Sequence, residues 1–123
     1  DKQRMKILII DDTKLSRAMI LKRIPEKIKQ NASIFQGVNG QEAVELYKGV
    51  HPDIVFLDLT MPVMDGFEAL RQIKAYDQNA LVYIITADIQ TKAKERVLSD
   101  GAAGVENKPI DEQRLEEIFS SLK

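Results

Sequence analysis

The sequence predicts an α/β domain, a parallel sheet with helices packed on both faces. Three observations carry this. Short apolar runs recur along the chain, and the strongest, 6–10 and 53–58, are rich in Ile, Val and Leu, as strands buried on both sides are. Stretches with apolar residues at helical spacing alternate with these runs, several opened by a capping side chain. The connections between them are short, which makes successive strands parallel and the crossovers right-handed.

Residues 6–10 form the first strand and run into Asp11 and Asp12. Thr13 supplies a hydroxyl cap, and Leu15, Ala18, Met19, Ile20, Leu21, Ile24 and Ile28 follow at helical spacing; Pro25 kinks or ends that helix. A weaker strand spans 34–38. Asn39 and Glu42 form a capping box for a second helix through about Lys48, and Gly49 and Pro52 bracket the turn into the third strand. That strand ends at Asp58. After the loop 59–66 comes a helix carrying Phe67, Leu70, Ile73 and Tyr76. A fourth strand over 80–85 ends at Thr86-Ala87-Asp88. Residues 90–100 read as a polar helix with Ala93, Val97 and Leu98 inward and Gly101 at its C-cap. Residues 102–105 form a fifth, short strand; Asp111 caps a fifth helix, with Ile110 and Leu115 as a hydrophobic staple. No repeat, linker or low-complexity tract interrupts residues 1–123, which read as one domain.

A net charge of -1 gives no electrostatic case for nucleic acid or an anionic membrane as a partner. No apolar run approaches the ~20 residues of a membrane span. The absence of cysteine excludes disulfides and thiolate metal sites, and suits the reducing cytoplasm in which this chain is expected to work. A single histidine, His51, leaves little scope for zinc or a Ser-His-Asp triad. The basic residues Lys92, Lys94 and Arg96 read as a solvated helix face.

Polar residues collect where strands stop: Asp11 and Asp12, then Asp58, Thr86 and Lys108. In a parallel sheet these positions share one edge, the edge where open α/β sheets bind ligands. Adjacent strands lie only ~4.8 Å apart, so residues from almost the whole chain converge there. Alone, Asp11 and Asp12 would be ordinary helix-capping acids, and Lys108 a solvated lysine. Together, three carboxylates repel one another, and a hard divalent cation relieves that. Mg²⁺ suits one or two carboxylates, several waters and phosphate oxygens. Thr86 and Lys108 add a donor and a positive charge for an anion beside it. A carboxylate in such a place is a nucleophile towards phosphorus, forming an aspartyl phosphate.

These residues resemble the receiver domains of bacterial response regulators, of the single-domain chemotaxis-regulator type. The matching pieces are Asp11-Asp12, Asp58 within Phe-Leu-Asp-Leu-Thr-Met-Pro-Val-Met-Asp-Gly, Thr86-Ala87 and Lys108-Pro109, in order along nearly all of the chain. The resemblance implies a flavodoxin-like three-layer α/β/α sandwich, with strand order 2-1-3-4-5 and five helices. It implies Asp58 as phosphoacceptor, with Mg²⁺ held by Asp12, Asp58 and the backbone carbonyl of Thr60, and by Asp11 mainly through water. Lys108 would pair with the phosphoryl group, with Thr86 swinging towards it beside Ala87, and the Lys108-Pro109 peptide would be cis. Relatives often carry an aromatic ring three residues before the lysine; here that switch position is Val105, which lacks one.

The implied partners are a sensor histidine kinase or phosphotransfer protein, and a downstream protein contacting the fourth predicted helix, fifth strand and fifth helix, about 90–123. Neither nucleic acid nor membrane is a direct partner, and the chain is a monomer or a phosphorylation-dependent dimer. The expected chemistry is self-phosphorylation and dephosphorylation at Asp58, not turnover of an external substrate. Two alternatives compete: a receiver-like binding module that is never phosphorylated, and a haloacid-dehalogenase-type phosphatase, whose nucleophile motif Asp58-Leu59-Thr60 resembles. Those phosphatases place the motif after the first strand, whereas here it follows the third.

Overall fold

The computed structural model describes residues 4–87 and 89–122. Asp88, read with Thr86 and Ala87 as a strand end, and Lys123, the last residue of the predicted contact face, lie outside the described residues. Five strands, β1 (Met5–Ile10), β2 (Ala32–Gly37), β3 (Ile54–Leu57), β4 (Val82–Thr86) and β5 (Gly104–Asn107), pair in the order β2-β1-β3-β4-β5. Every pairing is parallel, so the flavodoxin-like order holds.

Successive residues of each strand point to opposite faces and build two cores. Leu8, Val55, Leu57 and Ile84 pack under α3 (Gly40–Val50), α4 (Gly66–Tyr76) and α5 (Thr91–Ser99), against Val44, Leu70, Ile73 and Val97. Ile7, Ile9, Phe56 and Ile85 pack under α1 (Lys14–Arg23) and α6 (Glu112–Ser120), against Ile20, Leu115 and Phe119. β1 and β3 sit mid-sheet with both faces covered, which is why their sequences are unbroken apolar runs.

Among the described residues there are six helices, where the sequence predicts five. Proline is the reason. Ile24 is extended at ψ 131°, as a residue before proline tends to be, and the chain restarts as the single turn α2 (Glu26–Lys29). The predicted fourth and fifth helices are therefore α5 and α6. β5 begins two residues later than its apolar run, because Ala102 N–H still bonds the Val97 carbonyl at the end of α5. Several apolar residues of the helical patterns are outside: Leu15, 73% exposed in the first turn of α1, Leu98, 43% exposed on α5, and the exposed Ala18 and Tyr76.

Gly66 fixes how the β3–α4 loop returns to the sheet. Its N–H bonds the Leu59 carbonyl at 2.9 Å, and a Cβ there would lie 2.0 Å from the Asp58 carbonyl oxygen. Only glycine permits so close an approach beside the end of β3. No helix among the described residues is long and apolar enough to cross a membrane.

Candidate functional site at the C-terminal edge of the sheet

Tyrosine aside, the described residues include three buried polar side chains, Asp11, Asp58 and Thr86, and all three stand at the C-terminal edge of the sheet. Backbone pairing carries them there. Asp11 N–H bonds the Gly37 carbonyl, Asp58 N–H the Ile10 carbonyl, and Lys108 N–H the Thr86 carbonyl, at 2.9–3.1 Å. The strand ladders thus run on to the functional residues and fix their spacing.

Asp11 is held on several sides. Its Oδ1 accepts from the Thr13 N–H at 3.0 Å and from the Thr13 hydroxyl at 3.3 Å, and its backbone carbonyl accepts from Arg17 Nη1 at 2.7 Å. Thr13 Oγ1 also caps α1 by accepting from Ser16 N–H. Asp58 Oδ1 accepts from Leu59 N–H at 2.8 Å, which leaves Oδ2 facing Lys108 Nζ at 3.3 Å. The same ammonium lies 2.6 Å from the buried Asp11 Oδ2, which has no other polar partner among the described residues. A third neighbour of Lys108 Nζ is Ser16 Oγ, at 3.4 Å.

The electrostatics follow from this geometry. Burial pushes the Asp58 carboxyl above the ordinary carboxylate range; Lys108 pulls it down, and Asp11 adds to the rise. Burial alone would lower the Lys108 ammonium, but the Asp11 and Asp58 carboxylates outweigh it and hold that group above the usual lysine value. One lysine therefore compensates two buried acids incompletely. Asp12 is exposed at the rim, and one carboxylate oxygen from each of Asp11, Asp12 and Asp58 lies within 4.8 Å of the others. Three acids beside a single lysine form a donor set that fits a hard cation with oxygen ligands.

The structure thus brings together Asp11, Asp12, Asp58, Thr86 and Lys108. The Lys108-Pro109 peptide is cis. Thr60 and Ala87 are exposed. Val105 pairs with Ile84 across the sheet and is partly buried against the α3–α5 core. Alternation along β4 puts Thr86 on that same face, with Val82 and Ile84.

The model of the response regulator receiver domain matches residues 7–120, nearly the whole chain. The chain belongs to the response regulator receiver family. The receiver is 40% identical to the chemotaxis protein CheY of Listeria monocytogenes, over 94% of this chain and 95% of that one. It is 30% identical to the chemotaxis protein CheY of Halobacterium salinarum, over 94% of each chain. Among solved structures, the CheX–CheY–BeF3–Mg²⁺ complex of Borrelia burgdorferi superposes with a TM-score of 0.86 at 30% identity, over 96% of this receiver and 88% of that chain.

Three contributors escape a reading of the sequence. Thr13 is legible as a helix cap but not as a ligand of Asp11, and Ser16 and Arg17 carry no motif at all. The available signal is positional. α1 starts directly after the acids, so its first turn must border the site.

Proposed function

We propose that this receiver takes a phosphoryl group onto the carboxylate of Asp58 from a phosphohistidine of a sensor kinase or phosphotransfer protein. In that transfer a new Asp58 O–P bond forms as the P–N bond to the donor imidazole breaks, and the imidazole leaves with the bonding pair. The observation that carries this reading is the buried Asp58 with Oδ2 turned to Lys108 and two further acids beside it. A carboxylate partly stripped of water and incompletely compensated is a better nucleophile than a solvated one.

Asp12, Asp58 and the Thr60 backbone carbonyl are the groups we assign to Mg²⁺, with Asp11 acting through water. Bound there, Mg²⁺ supplies positive charge against the carboxylates and the incoming phosphoryl oxygens. Lys108 offers the phosphoryl group an ammonium already lodged between Asp11 and Asp58. Thr86, at the end of β4, offers a hydroxyl to the modified Asp58. Its displacement would be passed to the surface of α5, β5 and α6, the edge of the sheet that we assign to the downstream protein. With Val105 in place of a ring, this coupling rests on movement of α5 itself.

Incubation with acetyl phosphate and Mg²⁺, followed by intact mass, tests the proposal. One phosphoryl group is expected, mapping to Asp58 and absent from Asp58→Asn. An adduct on another residue overturns the assignment. Steady release of phosphate from many small phosphate esters, with no adduct accumulating, would instead favour a haloacid-dehalogenase-type phosphatase. No modification under any donor would leave a phosphorylation-independent binding module.

A further inference from the structure

Ser16 stands out once the site is described, because the reaction as proposed does not use it. It lies in the first turn of α1, half-buried, with Oγ 3.4 Å from Lys108 Nζ. An ammonium has three N–H donors and no acceptor. Lys108 has three oxygens around it: Asp11 Oδ2 at 2.6 Å, Asp58 Oδ2 at 3.3 Å and Ser16 Oγ. Two are charged and belong to the acids a cation would occupy. The third is neutral and belongs to α1.

Beyond Ser16 the wall around Lys108 is almost wholly apolar. Met19, Ile20, Ile85, Pro109 and Ile110 line a hollow there, and among the described residues Ser16 Oγ is its one side-chain oxygen. The only other charged residue in that wall, Arg23, is a donor, and it already bonds the Ile110 carbonyl at 3.0 Å. A lysine that leaves both acids therefore finds one side-chain oxygen among the described residues of that wall, Ser16 Oγ.

We propose that Ser16 is a positioning residue for Lys108: its hydroxyl draws the ammonium off Asp11 Oδ2 and so opens the acid cluster to a divalent cation. This rests on the reading of Asp11, Asp12 and Asp58 as the cation site. Without the hydroxyl, an N–H turned away from the acids faces mostly apolar side chains, and a partly buried donor with no protein partner carries a cost. Lys108 then stays on the acids and competes with the cation for them. Ala is also the better helix former, so a merely structural Ser16 would give an alanine variant of higher melting temperature and unaltered cation affinity.

The test is a Mg²⁺ titration followed through the backbone amides of residues 11, 12 and 58, with no phosphate donor present. Ser16→Ala is expected to bind Mg²⁺ about three- to tenfold more weakly than wild type, the scale of one hydrogen bond. In a Lys108→Ala background the same change is expected to leave Mg²⁺ affinity unaltered, because the competitor is gone. Equal affinity of wild type and Ser16→Ala overturns the proposal. So does a loss that persists without Lys108, since Ser16 would then act through something else. Wild-type amides that ignore millimolar Mg²⁺ would instead overturn the cation site itself, and this inference with it.

Discussion

At the N-terminal edge of the sheet Tyr47 donates its phenol proton to Asp77 Oδ2 at 2.8 Å, and Asp77 Oδ1 accepts from Asn79 N–H at 3.0 Å. Lys6 N–H bonds Asp53 Oδ2 at 2.8 Å, and Lys74 Nζ bonds two carbonyls, of Gln78 and Ala80. At the C-terminal edge two buried acids, Asp11 and Asp58, share one lysine. Both edges place aspartate and lysine side chains beside the ends of the strands. One closes its polar groups into complete pairs. The other leaves charge uncompensated, which suits the cation and the phosphoryl group proposed for it.

The largest expected contrast is between removing a cation at the open edge and removing a hydrogen bond at the closed one. Lys108→Ala leaves Asp11 and Asp58 buried together with no positive charge. We expect a loss of roughly 2–3 kcal/mol, less than for a fully buried pair because Lys108 is 22% exposed. Mg²⁺ should restore much of it by binding only the folded form. Tyr47→Phe should cost about 1–2 kcal/mol, since it leaves a buried ring without its bond to a carboxylate, and Mg²⁺ should not change that figure. Urea denaturation of both variants with and without millimolar Mg²⁺ measures this. Equal response to Mg²⁺ would erase the distinction between the edges.

The next contrast is in pH. Burial first, and the Asp11 charge with it, hold folded Asp58 above its unfolded value, so the folded chain keeps that proton longer than the unfolded chain does. Its contribution therefore falls as pH rises from the unfolded value through the raised folded one. Asp77 has the opposite sign. The Tyr47 hydrogen bond holds it below the ordinary range, and its contribution is lost as pH falls through the lowered value. Without Mg²⁺, Asp58→Asn should thus gain on wild type as pH rises through the raised Asp58 value. Asp77→Asn should lose over the acid range instead. Melting curves from pH 3 to 8 decide it, and parallel curves for wild type and Asp58→Asn would sink the idea that the site is electrostatically strained.

The difference between the edges also governs what a sequence reveals. The fold was legible because β1 and β3 are apolar without a break and the acids follow them directly. Helix count was not, since a proline that ends α1 and one that merely bends it look alike in one dimension. Asp11, Asp58, Thr86 and Lys108 were legible as strand ends, but the direction in which Lys108 leans was not. That depends on Asp11 Oδ2 being nearer than Asp58 Oδ2 by less than 1 Å. The Tyr47–Asp77 pair was missed because its members are thirty residues apart on two helices whose packing the sequence does not state.

The smallest expected effect compares one strained backbone position from each edge. Among the described residues, His51 and Val63 are the two non-glycine residues with positive φ, at 53° and 67°. His51 ends α3 at the N-terminal edge, where its ring lies 6.4 Å from that of Tyr47 and 5.9 Å from that of Tyr76. Val63 sits in the β3–α4 loop near the site, 83% exposed, at the centre of a tight turn closed by Met64 N–H on the Pro62 carbonyl. A β-branched residue pays about 1–2 kcal/mol for this conformation, whereas histidine tolerates it better. Glycine removes that cost and adds roughly 0.5–1 kcal/mol of unfolded-chain entropy. Val63→Gly should therefore stabilise by about 0.5 kcal/mol, having no packing to lose. His51→Gly should destabilise by about 1 kcal/mol, because the ring contacts go with the side chain. Opposite signs in paired denaturation curves would mean the closed edge holds its strain through packing, while the loop beside the site holds it through nothing but its own backbone. If both variants lose stability, Val63 has contacts that its exposure conceals, and the loop is part of the fold rather than of the site.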